Sequence, residues 1–385
     1  MKQLRFIKKL DKDIKFIVLV FVIWRVGLFA VLFLSLKYLP LAGKNFLGGG
    51  LENYLNNPWL FAWANFDGEH FLSIAQSGYK PLEQAFFPIY PGLMNILARP
   101  FGESMQVLTL VGFLISNLSF LLTLIFLLKL IKKDFTESIA RLTVAVILLF
   151  PTSFYFGAVY SESLFLLLIV SSFYFARENK WLVSSIFGIA SSATRVFGLL
   201  LLPSLLIDAG YTKQPLKRWF WIVLIPLGLI SYMFVQWQLS GDPLAFYHLQ
   251  KVVGPQHDSG ITLIPQIYFR YIKILLTTPF SNPIYQTIIL ELVVGVLFLI
   301  LPFIGFLKKI KWSYLMFALL SFSLPTIQGS FSSLPRYVIV LFPSFLCIAI
   351  LLKNCPKFVK IIYLIISGIF LVVECSLYLR GYWVA

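Results

Sequence analysis

The sequence predicts an all-α polytopic membrane protein, a bundle of about eleven transmembrane helices with a large first outer loop. Three observations predict it. Of 385 residues, 59% are hydrophobic and only 12% charged, about half the charged share of a soluble domain, and the mean hydropathy is +0.86. Apolar runs of about 20 residues recur along the chain, the length that a bilayer core needs. The net charge of +16 sits in short clusters between those runs. That pattern orients membrane proteins, so the charge points to the membrane and not to nucleic acid.

The elements follow in order. A basic start (Lys2, Arg5, Lys8, Lys9, Lys12, Lys15) precedes a first span at about 16–36, long and without a small-residue cleavage site, hence read as a retained anchor. An outer loop covers 40–104, and spans follow at about 105–131, 139–157 and 161–176. The run 181–209 is interrupted by Ser191-Ser192-Ala193-Thr194-Arg195 and reads as two short helices meeting near Arg195. After a span at about 219–238 comes a second outer loop, 241–278, with His248, His257 and Asp258. Spans at about 284–307, 313–328, 336–352 and 358–378 complete a single membrane domain over residues 1–385. Cys347, Cys355 and Cys375 lie in or near the last spans, with neither zinc spacing nor a place in the outer loops.

Counting charge sets the orientation. The N-terminus and five short connections hold 21 of the 32 Lys and Arg, whereas the two much longer loops and the C-terminal end of the opposite side hold eight. The basic side is expected in the cytoplasm, and the loops 40–104 and 241–278 outside. The setting is a prokaryotic cell membrane, or the endoplasmic reticulum membrane in a eukaryote.

The first loop carries the candidate chemistry. Asn65-Phe66-Asp67-Gly68-Glu69-His70 places two carboxylates and a histidine within four positions. Ionisable residues in or beside spans are costly and point to function: Arg25 lies within a span, Glu162 opens one, Arg195 sits at a helix break, and Arg336 opens a late span. Glu291 and Glu374 fall in the outer parts of theirs. Apart from Arg25, all lie toward the face on which Asp67 hangs.

No glycine-rich nucleotide loop is present, so an outward pocket would draw on a donor held in lipid, a sugar on a polyprenyl phosphate. Its phosphate leaves readily, and Arg195, Arg336 or Arg25 would take up the growing charge. Asp67 is the obvious base for the acceptor hydroxyl, which implies inversion at the sugar carbon. His70 suits a hydrogen bond to sugar or phosphate. No cofactor is required. Asp67 and Glu69 form a weak, incomplete oxygen pair for a divalent cation, and the three histidines lack zinc spacing. A secondary transporter or lipid flippase is the alternative, since it too uses broken helices and intramembrane charges.

These residues also carry a resemblance. Phe66-Asp67-Gly68-Glu69-His70 with Gly78-Tyr79 and Ala85-Phe86-Phe87-Pro88-Ile89-Tyr90-Pro91 resembles the first outer loop of the GPI mannosyltransferase II (PIG-V-like) family. Phe150-Pro151-Thr152-Ser153-Phe154 with Tyr160-Ser161-Glu162-Ser163, Ala193-Thr194-Arg195-Val196-Phe197-Gly198, and Pro335-Arg336-Tyr337 with Phe342-Pro343 resemble its later signatures, in order. The family belongs to the C-type superfamily (GT-C) of lipid-donor glycosyltransferases. The resemblance implies a GT-C-like bundle, a mannosyl donor on dolichyl or another polyprenyl phosphate, Asp67 as base, and a site at the non-cytoplasmic face. Arg195, Arg336, His70, Glu162, Arg25, Tyr79 and Tyr337 are the candidate donor-binding residues. The acceptor class is a glycolipid, glycan or protein. Where the family often has Trp before the aspartate, this chain has Phe66.

Overall fold

The computed structural model describes residues 2–249, 262–280, 284–327 and 329–384, with side chains from Lys12 onward. His257 and Asp258 of the second outer loop lie outside the described residues. Among these residues there is no strand.

The long helix α1 (Lys2–Tyr38) leads into a loop region that is itself largely helical: α2 (Leu51–Asn56), α3 (Pro58–Phe61), α4 (Asp67–Ser77) and α5 (Ile89–Ala98). The bundle continues with α6 (Met105–Ile131), α7 (Glu137–Leu148), α8 (Glu162–Arg177), α9 (Trp181–Ser192) and α10 (Leu201–Tyr211). Next come α11 (Leu216–Val223), α12 (Leu227–Ser240), α13 (Ala245–His248) and α14 (Ile264–Thr277). The chain closes with α15 (Ile284–Leu307), α16 (Trp312–Thr326), α17 (Leu334–Tyr337), α18 (Phe342–Asn354) and α19 (Lys357–Leu379).

Among the described residues, five units are long and apolar enough to cross a bilayer: Lys12–Tyr38, Met105–Ile131, Leu216–Ser240, Ile284–Leu307 and Lys357–Leu379. Helix α6 shows why. Leu110, Leu114, Leu118 and Leu122, one turn apart, form an exposed apolar stripe, while Ser116, Phe120, Thr123 and Leu127 face the interior. A leucine stripe facing outward is stable against lipid and not against water. The chain is a multi-pass membrane protein.

Three expected spans are interrupted, each at a proline; that at about 219–238 breaks between α11 and α12 at Pro226. The run at about 139–157 is helical only to Leu148, because Pro151 cannot donate to the ladder and pushes its predecessor out of helical geometry. The run at about 336–352 bends by 83° at Leu341, where Pro343, second residue of α18, has no N–H to bond the preceding turn. The 181–209 run is two short helices, as expected.

The bundle has two distinct ends. At one, Asp13 pairs with Lys132 and Arg177 with Asp134 at 2.5 Å. At the other, Asn65 donates to the Tyr378 carbonyl (2.9 Å) and Arg380 to that of Leu39 (2.8 Å). The 27 residues of α6 put these ends about 40 Å apart. Helices α4 and α5 cap the second end, burying Phe71, Leu72, Ala75, Tyr90 and Met94 against Leu108 and Leu164.

Candidate active site

Four residues from four separate segments meet at the capped end. Asp67 Oδ2 accepts from Arg336 Nη1 at 2.6 Å. Arg336 Nε lies 3.7 Å from Glu162 Oε1, and that oxygen also pairs with Arg195 Nη1 at 2.6 Å. The result is an alternating row, Asp67, Arg336, Glu162, Arg195, with two charges of each sign. Tyr337 closes one side, 5.2 Å from the Arg336 guanidinium and 5.8 Å from that of Arg195. The expected set of Asp67, Glu162, Arg195, Arg336 and Tyr337 is thus brought together.

Local backbone explains each placement. Asp67 and Glu162 are the first residues of α4 and α8, where unsatisfied N–H groups favour a carboxylate. Phe66, immediately before Asp67, sits at φ 56°, ψ −117°, costly for a residue with a Cβ. It is held there by its N–H bonding the Phe46 carbonyl (2.8 Å) and by an edge contact with Trp383. Such an over-determined outlier beside a carboxylate aims that carboxylate.

Arg195 is extended (φ −156°, ψ 146°) at the break between α9 and the short helix Val196–Leu200. Gly198 permits the tight return, since a Cβ there would lie 2.3 Å from the Ser191 backbone. Arg336 rides on the one-turn helix α17. Glu291 of α15 accepts the Ser333 N–H at 3.0 Å and the Tyr271 hydroxyl at 2.8 Å, which fixes the start of that turn.

Beneath the row, residues 149–161 run through the interior without α-helix, with one 3-10 turn at Ser153–Gly157. Their polar groups are met by side chains and neighbouring backbone, as non-helical chain at membrane depth requires. Val159 N–H bonds the Trp63 carbonyl (2.8 Å), Tyr160 hydroxyl the Asn65 carbonyl (2.8 Å), Ser116 hydroxyl the Tyr160 carbonyl (2.9 Å), and Thr152 hydroxyl the Pro335 carbonyl (2.6 Å). Tyr155, Tyr160 and Tyr378 form an aromatic floor under Arg336. Thr152 and Tyr160 stood inside quoted motifs and Glu291 was marked as a charge within a span; Tyr378 and Ser333 carried no local sign of their place.

Exposure separates the two carboxylates. Asp67 keeps 29% of its side-chain surface and Glu162 only 2%. Asp67 is therefore the more accessible of the two.

Three expected residues lie outside the row. Arg25 is buried in an aromatic cage, 4.0 Å from the Trp63 ring, 4.4 Å from Phe113 and 4.8 Å from Phe29, and its nitrogens have no hydrogen-bond partner among the described residues. Its place within α1, against Trp63, sets it apart from the row. Tyr79 donates to the Phe86 carbonyl at 2.8 Å and packs on Tyr232. It fastens the loop, and burial pushes its hydroxyl pKa up. His70 stacks on Phe86 at 4.7 Å with Glu83 3.8 Å away, one turn along α4 from Asp67.

The Asp67–Glu69 pair does not converge: Asp67 faces Arg336, and Glu69 lies beside the Gly50 backbone, where burial pushes its pKa up to about 7. Among the described residues, no three His, Cys, Asp or Glu side chains are grouped to hold a metal ion.

The bundle is of the GT-C type, the architecture of polytopic membrane glycosyltransferases. It is similar to the crystal structure of ArnT from Cupriavidus metallidurans bound to undecaprenyl phosphate, with a TM-score of 0.52 at 12% identity, covering 94% of this chain and 74% of that one. The apo oligosaccharyltransferase of Archaeoglobus fulgidus gives a TM-score of 0.46 at 12% identity, over 94% of this chain and 56% of that one. No curated protein sequence matches the chain. Residues 17–227, more than half of the chain, match the family described as Mannosyltransferase (PIG-V). The chain belongs to that family and is a membrane glycosyltransferase.

Proposed function

We propose that this enzyme moves a mannosyl or closely related hexosyl group from a polyprenyl phosphate to a hydroxyl of a glycolipid, glycan or protein acceptor, at the non-cytoplasmic membrane face. The Asp67–Arg336 contact carries the reading: a reachable carboxylate beside a buried guanidinium pairs a base with a phosphate ligand. Family membership favours mannose, and the similar ArnT structure holds a polyprenyl phosphate. The clustering of Lys and Arg at the end away from Asp67 favours the outward face.

In this mechanism Asp67 takes the acceptor proton as the acceptor oxygen bonds the anomeric carbon and the bond from that carbon to phosphate oxygen breaks. The departing phosphate gains one negative charge. Arg336 and Arg195 receive it, aided by a low-dielectric wall, and Glu162 holds the two guanidinia at fixed separation. Attack opposite the leaving group inverts the sugar carbon. The guanidinia already supply cationic charge at the phosphate, so the reaction runs without an added cation.

The test is purified protein supplied with radiolabelled polyprenyl-phosphate-mannose and a panel of glycolipid acceptors, with Asp67→Asn as blank. Transfer by the native chain alone is expected. Equal transfer by Asp67→Asn, or none from any lipid-linked hexose, sinks the proposal.

A further inference from the structure

The end of the bundle opposite Asp67 holds an open groove of about 710 Å³ between the starts of α9 and α11. Lys180, Lys217 and Arg218 line it together with Trp181, Phe220 and Trp221, and no acidic residue stands in its wall. Glu178, next in sequence to the wall, bonds Lys133, though its charge also reaches Lys180. Arg218 bonds only neutral partners, Gln214 and the Asn179 side-chain oxygen at 3.4 Å. Three cations therefore share one concavity without a paired carboxylate among the described residues.

The groove continues into apolar surface. Leu182 and Ile186 on α9 are 46% and 54% exposed, and Phe220 and Val223 on α11 are 59% and 58% exposed. Leu216–Ser240 is a membrane-span unit, so this surface faces acyl chains.

We propose that the groove holds one anionic glycerophospholipid, its phosphodiester among Lys180, Lys217 and Arg218 and its chains along Leu182, Ile186 and Val223. A basic pocket between helix ends that passes into apolar helix faces matches such a lipid in both charge and shape. Trp221, beside the three cations at the end of a membrane-span unit, is placed as interfacial indoles usually are. A free phosphate would use the cations and leave the apolar extension idle. The site is independent of the transfer reaction.

Native mass spectrometry of protein released from vesicles of equal phosphatidylglycerol and phosphatidylcholine tests this. The native chain should retain one phosphatidylglycerol in preference to phosphatidylcholine. Lys217→Gln with Arg218→Gln should weaken that retention about thirty-fold, the value of two surface charges. Lys217→Arg with Arg218→Lys should keep it, as should Lys357→Gln, which removes a charge elsewhere. Equal retention of both lipids by the native chain, or undiminished phosphatidylglycerol in the double Gln variant, overturns the proposal.

Discussion

Asp67 and Arg336 are 269 positions apart and meet at 2.6 Å. The contact ties the start of α4 in the outer loop to the short turn α17 near the far end of the chain. In the proposed mechanism it sets a proton acceptor against a phosphate ligand.

Asp67→Asn removes the acceptor's base while keeping volume and a contact to Arg336. Turnover should fall by roughly 10²–10⁴, the usual contribution of general base catalysis, and donor binding should persist. Single-turnover transfer beside equilibrium binding of the lipid donor separates the two effects.

Arg195→Lys keeps a charge but loses the planar fork that spans two phosphate oxygens. Removing one such stabilising donor costs roughly 10²–10³ in kcat, and this milder change should fall at or below that range. Steady-state rates at saturating donor measure it; an unchanged kcat would remove Arg195 from the phosphate site.

Glu162→Ala leaves two guanidinia facing each other in a site where Glu162 itself is only 2% exposed. Breaking a buried ionic group costs about 3 to 5 kcal/mol, so thermal unfolding in detergent should drop markedly. Glu162→Gln should lose less.

Glu291 touches no substrate in this reading; it positions Arg336 through the Ser333 N–H. Glu291→Ala should lower kcat and weaken donor binding together, as Arg336 drifts. Glu291→Gln, whose amide oxygen still accepts, should restore most of both. A merely structural role would give loss of folded protein without that rescue.

Glu69 makes stability depend on pH. Burial raises its folded pKa to about 7 from 4.5, so the folded state favours the protonated form. Between about pH 4.5 and 7 the unfolded chain has released a proton that the folded chain retains, so this group's contribution to stability is fully present below that window and is lost as pH rises through it. Melting at pH 5 and pH 8 should show a gap that Glu69→Gln narrows. An identical gap in the variant would refute the assignment.

The class of protein was legible because it rests on local properties. Apolar runs, their length and the basic clusters between them follow from composition along the chain, and bilayer thickness converts them into spans. The candidates Glu162, Arg195 and Arg336 were legible for a related reason, since a charge beside an apolar run is expensive enough to mark itself; Asp67 was legible from the cluster of two carboxylates and a histidine in its loop. Tertiary structure alone decided which of them meet. Arg25 was as conspicuous in sequence as Arg336, yet aromatic rings enclose it while Arg336 faces Asp67, because contacts across 269 positions depend on how helices pack and not on any local pattern. The breaks at Leu148 and Leu341 trace to the local prolines Pro151 and Pro343, but the tyrosine floor and the hold of Glu291 on Ser333 belong to that same level. Their physical cause is non-local: a buried polar group takes whichever partner the packed bundle brings within reach.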